Sequence, residues 1–232
     1  MCRSDVFRQA HFADAPKIAA DAGVHLEWHA EAAEVRHVLL WEYLARKASI
    51  STDVLFRYLP TAVKVGNQGG VETLRYLLDF TRYTPRDLSL LFRQLQAALP
   101  PGAVALTAEQ VRLAADRFAS ENLLSEIIAE AVGLLSPTVV DRLSGILSSL
   151  PKRIFSREHL ERAIKDAGCA EETSSAELAE YLFLQGAIGN YKPDVGYYQF
   201  YHRRDAYKLQ LRGPLALHTG LVYAMNVPWS GT

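Results

Sequence analysis

Apolar and polar residues alternate strictly over Val24-His25-Leu26-Glu27-Trp28-His29, the period of a half-buried strand. From Ala30 to Ala48 the period changes: Val35, Val38, Leu39, Tyr43 and Leu44 recur at three- and four-residue steps, which predicts an amphipathic helix. Ser51 or Thr52 is placed to cap a short helix through Tyr58 that Pro60 stops. The glycine-rich break Lys64-Val-Gly-Asn-Gln-Gly-Gly70 suits a loop. It can be taken as a flexible turn or as a weak phosphate-binding lookalike, but it lacks the preceding strand and following Gly-Lys that a phosphate loop needs. Val71 to Phe80 reads as helical, with Leu74, Leu77 and Leu78 on one face.

The sharpest local signal is Thr81-Arg-Tyr-Thr-Pro-Arg-Asp-Leu88. Thr84 is set as an N-cap, Pro85 fits the first helical position and Asp87 follows three residues after the cap, so a helix is predicted from there to about Leu99. Pro100-Pro101-Gly102 closes it, and Thr107 with Gln110 forms a capping-box pattern opening a long helix to about Val132. Ser136-Pro137 opens another. From there the pattern predicts helix Pro137–Ser149, an extended piece Arg153–Phe155, helix Arg157–Ala167, helix Ser174–Gln185 and a β region from Ala187 to Leu211. Within that region Tyr197–Tyr201 and Tyr207–Leu211 are strand-like runs joined by a turn at His202–Ala206, and a small helix follows around Leu217–Met225. Helix, strand, helix, helix, strand, wing, strand is the order of a winged helix-turn-helix. The expected fold is therefore mainly α: a helical bundle followed by a winged helix-turn-helix (α+β) domain.

Composition narrows the function classes. The chain has 232 residues, 49% of them hydrophobic, enough for a packed core and too apolar for a disordered chain. Lys+Arg 25 against Asp+Glu 26 leaves a net charge of −1, so any attraction for nucleic acid has to come from a local patch. Cys2 and Cys169 lie far apart with no Cys-x-x-Cys, which argues against a disulfide framework or a structural zinc site and suits a cytoplasmic protein. No membrane helix is expected, nor is a signal peptide.

No Gly-Lys dipeptide occurs in the chain, so a Walker A loop is excluded. Gly-x-Ser-x-Gly, His-Glu-x-x-His and Gly-x-Gly-x-x-Gly are likewise missing. No catalytic residue is assigned. His25 and His29, four apart around Glu27, have a metal-like spacing, but the strand alternation makes a polar strand edge the simpler account, and no metal site is expected. His218 reads as a cap or a buried hydrogen-bonding histidine. Arg86, in the first turn of a helix set by Thr-Pro, can project a fixed guanidinium toward a phosphate or a neighbouring domain, or it can form a salt bridge to Asp79 or Asp87. Arg203 and Arg204, with Lys192, His202, Lys208 and Arg212 nearby and tyrosines interleaved, are candidates for phosphate contact. The candidate recognition helix, Ser174-Ser-Ala-Glu-Leu-Ala-Glu180, is acidic where base-reading helices carry Arg, Lys, Asn or Gln. A backbone contact through the wing, or a protein-facing winged helix, fits better than major-groove reading.

Three stretches in order resemble a family of bacterial P-loop ATPases of the AAA+/STAND type. They are Arg3-Ser-Asp-Val-Phe with Lys17-Ile and Leu26-Glu-Trp28; Thr81-Arg-Tyr-Thr-Pro-Arg-Asp-Leu88; and Phe155–Leu160, Leu182–Gly189 and Leu217–Leu221. The resemblance covers the back of that architecture and leaves out its catalytic front. It implies three parts: residues 1–60 as a remnant of the ATPase core with connecting helices, 61–135 as a helical lid-like region, and 136–232 as a winged-helix domain. By the same resemblance Arg86 matches the lid arginine that senses nucleotide, and Arg3 and Asp5 match positions near the nucleotide site. The implied function is a non-catalytic lid and winged-helix region, binding ATP and Mg only together with an upstream ATPase core. The alternative from another class is a stand-alone winged-helix regulator that binds DNA through the wing and dimerises through its helical half. A protein partner is the remaining expectation.

Overall fold

The computed structural model describes residues 34–65, 69–203 and 207–229, together with Lys17, Asp21 and Trp28. Arg3, Asp5, Arg204, His25 and His29 lie outside the described residues, as does the expected strand over Val24–His29 apart from Trp28. The Trp28 ring meets Tyr43 edge-on at 5.9 Å.

Of the helix expected over Ala30–Ala48, residues 30–33 lie outside the described residues and the rest is two pieces, a 3₁₀ turn Val35–His37 and helix α1, Leu39–Lys47. Val38 between them is extended, and the indole N–H of the buried Trp41 donates to the Val35 carbonyl at 2.9 Å, fixing the corner. Ser51 caps α2, Thr52–Arg57, by accepting from the Val54 amide.

The glycine-rich break is flanked by a hairpin the sequence pattern did not reveal. β1, Ala62–Lys64, pairs antiparallel with β2, Gly70–Glu72, in the register Val63↔Val71. Strands of three residues are too short to establish a period. Val71 and Glu72 are therefore ladder residues, and helix α3 runs only from Thr73 to Asp79.

Helix α4, Pro85–Ala98, starts as expected, with the Thr84 hydroxyl accepting from the Asp87 amide at 3.0 Å. α5, Ala108–Phe118, carries the full Thr107–Gln110 capping box. It passes through one π-helical turn, Ala119–Leu123, into α6, Leu124–Ala131. Ser136 caps α7, Pro137–Ser148. Then follow β3, Ile154–Phe155; α8, Arg157–Asp166; α9, Ser175–Leu184; β4, Ile188–Lys192; β5, Tyr197–Phe200; β6, Leu215–Leu217; and α10, Thr219–Ala224. The four strands form one antiparallel sheet in the order β3-β6-β4-β5.

Two expectations about this sheet are corrected. Tyr207–Leu211 is not a strand, because the Asn190 side chain takes over the role of a ladder partner: its Nδ2 donates to the Lys208 carbonyl at 2.9 Å and its Oδ1 accepts from the Gln210 amide at 2.8 Å. The strand in that place is β6, whose Leu217 the sequence pattern had assigned to the final helix. The tight turn between paired strands is Pro193–Gly196, since Lys192 pairs with Tyr197; the chain also turns over Tyr201–Arg203, where the expected turn begins, but residues 204–206 lie outside the described residues and that turn joins no second strand.

The fold is mainly helical with two small antiparallel sheets. One core runs through both halves. Helix α10 packs on α5 and on the π turn, and the Tyr181 hydroxyl on α9 donates to the Ile127 carbonyl on α6 at 2.5 Å. Among the described residues no helix is long and apolar enough to cross a membrane.

Candidate functional site

The polar groups that converge most tightly lie where α3 turns into α4. The loop Thr81–Thr84 includes Tyr83 at φ 55, a left-handed conformation that a bulky side chain rarely takes and that its surroundings must enforce. The turn aims Arg82 into the protein. Asp87, 1% exposed, accepts from the Arg82 backbone N–H at 2.8 Å, from Nε at 3.0 Å and from Nη2 at 3.0 Å. The same guanidinium donates to Glu126 at 2.6 Å and to Glu130 at 3.4 Å, both on α6. Burial pushes the Asp87 carboxyl upward, but the Arg82 charge and hydrogen bonds outweigh it and hold the group below the usual carboxylate range. Burial likewise opposes the Arg82 charge, and its three carboxylates more than offset that.

A second set of contacts ties this loop to the sheet. Arg203, just after β5, donates to Asp79 at 2.8 Å and lies over the rings of Tyr83 and Phe200, each 5.5 Å away. The His202 ring stacks between Tyr83 and Phe200 at 5.9 and 5.3 Å. His218 is buried at the start of α10: its Nδ1 accepts from the Gly220 amide at 3.1 Å, which leaves the proton on Nε2 to donate to the Thr81 carbonyl at 3.2 Å. Desolvation drives its pKa down to about 3, so the ring is neutral. Both roles expected of His218, cap and buried hydrogen-bonding group, are present.

The candidate residues from the sequence separate into three groups. Arg86 is exposed over 72% of its side chain and is braced by Glu126 at 2.9 Å. Neither of its expected partners is available, because Asp87 belongs to Arg82 and Asp79 to Arg203. Arg203 and His202 are turned inward, so they add less positive charge to the surface than the sequence suggests. Lys208 and Arg212 are exposed, and Lys192 donates to Gln210 at 2.5 Å. No group of His, Cys, Asp and Glu able to hold a metal occurs among the described residues. On α9 the buried face is Leu178, Ala179, Leu182 and Phe183, while Glu177 and Glu180 face solvent.

Sequence reasoning missed Arg82 and its α6 carboxylates. The available signal was the four-residue spacing of Glu126 and Glu130 on a helix whose other face is apolar; nothing in the sequence said that the partner lay 44 residues upstream. No known protein family matches the chain, and no curated protein or solved structure matches it either.

Proposed function

We propose that the chain is a non-catalytic lid and winged-helix region of a P-loop ATPase, which relays nucleotide state to a protein partner and does not hydrolyse nucleotide itself. The observation that carries this reading is Arg86. It stands in the first turn of α4, exposed yet oriented by Glu126, and Glu126 is itself held by Arg82. A guanidinium fixed in this way is suited to a phosphate presented by a neighbouring domain. The Arg82 cluster supports the relay, since it links the loop that sets Arg86 to α6. Asp79, Arg203 and His218 link the same loop to the C-terminal sheet. The winged-helix part is supported by the chain order α7-β3-α8-α9-β4-β5-β6 and by β6 lying between β3 and β4. A protein partner is favoured over base reading by Glu177 and Glu180 on the solvent face of α9.

Two measurements test the reading. The purified chain and Arg86→Ala are expected to show no ATP turnover; turnover by the chain that Arg86→Ala abolishes would refute the non-catalytic part. Sequencing upstream of the Met1 codon is expected to find the frame continuing into Gly-x-x-x-x-Gly-Lys-[Ser/Thr], and an in-frame stop with a promoter would refute the ATPase part. The DNA-regulator reading keeps support from the exposed Lys208 and Arg212. It requires binding that weakens steeply with salt and drops in Lys208→Glu, Arg212→Glu.

A further inference from the structure

Arg153 differs from the other inward-facing arginines. Arg82 meets three carboxylates and Arg203 meets Asp79, whereas Arg153, only 8% exposed, has no carboxylate within 4.0 Å among the described residues. Its guanidinium lies between two rings, 4.3 Å from the Tyr198 centroid and 4.4 Å from that of Trp229. The rings cover both faces of the cation and fix its plane. The edges are nearly unused. Nη2 donates to the Thr219 hydroxyl at 3.1 Å, and Nε is buried with no acceptor.

A guanidinium carries five N–H donors in a planar fork that matches an oxyanion. An unpaired buried charge is costly, and a buried donor with no acceptor within the protein is satisfied only by an acceptor from outside the chain, a water, an ion or a ligand. Burial lowers the Arg153 pKa, with Asp79 acting in the opposite sense, but Asp79 is already engaged by Arg203. The Thr219 hydroxyl accepts from Nη2 and still has its own proton to donate. Trp229, 42% exposed, is the solvent side of the sandwich. The backbone holds the position firmly, because the Arg153 N–H donates to Pro228 and its carbonyl accepts from Leu217, each at 2.8 Å.

We propose that Arg153, framed by Tyr198 and Trp229 and assisted by the Thr219 hydroxyl, is the seat of a small oxyanion, a phosphoryl or carboxylate group. The site does not rest on the ATPase reading. The test uses the full chain labelled with ¹⁵N-arginine, titrated in parallel with inorganic phosphate and with acetate at an ionic strength held constant by chloride. The expected result is a saturable shift of one arginine Nε–H signal, with a rise in Tm in the same titration. The signal is assigned by its disappearance in Arg153→Lys, in which the rise in Tm is also lost. Should that variant fail to fold, Trp229→Phe assigns the signal through the altered ring current. A response to phosphate alone identifies a phosphoryl site, and a response to both anions a general oxyanion site. No saturable shift with either, or a shift that chloride reproduces, overturns the proposal.

Discussion

Replacing Asp87 by alanine removes the acceptor of three hydrogen bonds from Arg82 while leaving the guanidinium in place. Breaking a buried ion pair from one side costs about 3–5 kcal/mol, because the other charge is left uncompensated. Here Glu126 and Glu130 still face Arg82, so the loss should fall at the lower end, about 3 kcal/mol. For a chain of this size each kcal/mol lowers Tm by roughly 2–4 °C, which gives a drop of about 6–12 °C in a calorimetric melt. The pH dependence has a definite sign. Asp87 is held below its ordinary value in the folded state, so its contribution is fully present above the unfolded carboxylate value of about 3.9 and is lost as pH falls through the folded value. The acid limb of the stability curve should therefore be shallower in Asp87→Ala. A double-mutant cycle with Arg82→Ala isolates the pair. A single-variant loss under about 1 kcal/mol, or additive losses in the cycle, would refute the idea that this cluster holds the junction.

Three further outcomes are expected. His218 is neutral with its pKa depressed to about 3, so the unfolded chain takes up a proton there as pH falls below about 6.5 and the folded chain does not. Stability should fall by up to about 1.4 kcal/mol per pH unit on this account, and His218→Gln should flatten that part of a urea-midpoint profile. Gly220→Ala would set a Cβ 2.6 Å from Leu123 Cδ2 and 3.2 Å from the Phe80 carbonyl oxygen, an overpacking worth about 1–3 kcal/mol in a chemical melt. Arg203→Glu would place two carboxylates where Asp79 now meets a cation, and should lower stability by about 2 kcal/mol with or without added DNA; an unchanged melt would show that Arg203 is free to serve as a surface contact.

The helices were legible where capping chemistry announces them. Thr84-Pro85, Thr107 with Gln110, and Ser136-Pro137 each mark a helix start in local sequence, and each start is present. The failures share a cause in non-local structure. β1 and β2 exist because they pair with each other across the glycine-rich segment, and neither carries a pattern of its own. Tyr207–Leu211 alternates like a strand, yet Asn190 satisfies its backbone, and the adjacent place in the sheet goes to the short apolar Leu215–Leu217. The candidate site divides in the same way. Arg86 was identifiable from its place after Thr-Pro, whereas Arg82 became visible only when α6 brought Glu126 and Glu130 beside it. Arg203 looked like wing charge because the sequence does not show that the segment after β5 folds back onto Asp79.

The π turn between α5 and α6 bears on how this chain can change in length. Val111, Ala115, Ala119, Leu123, Ile127 and Ala131 are all buried, one every four residues. On an ideal helix such a series drifts by roughly 40° per step, and five steps would carry it more than half-way round the axis. The wider turn at Ala119–Leu123 takes back most of one residue's rotation, so that both segments keep their apolar stripe toward α10 and the core. Loss of the exposed Ser120 should therefore close the turn to an ordinary one and leave the stripe aligned. Loss of Leu113, only seven positions earlier, would rotate everything between it and the turn by roughly 100° and strand Phe118 in solvent.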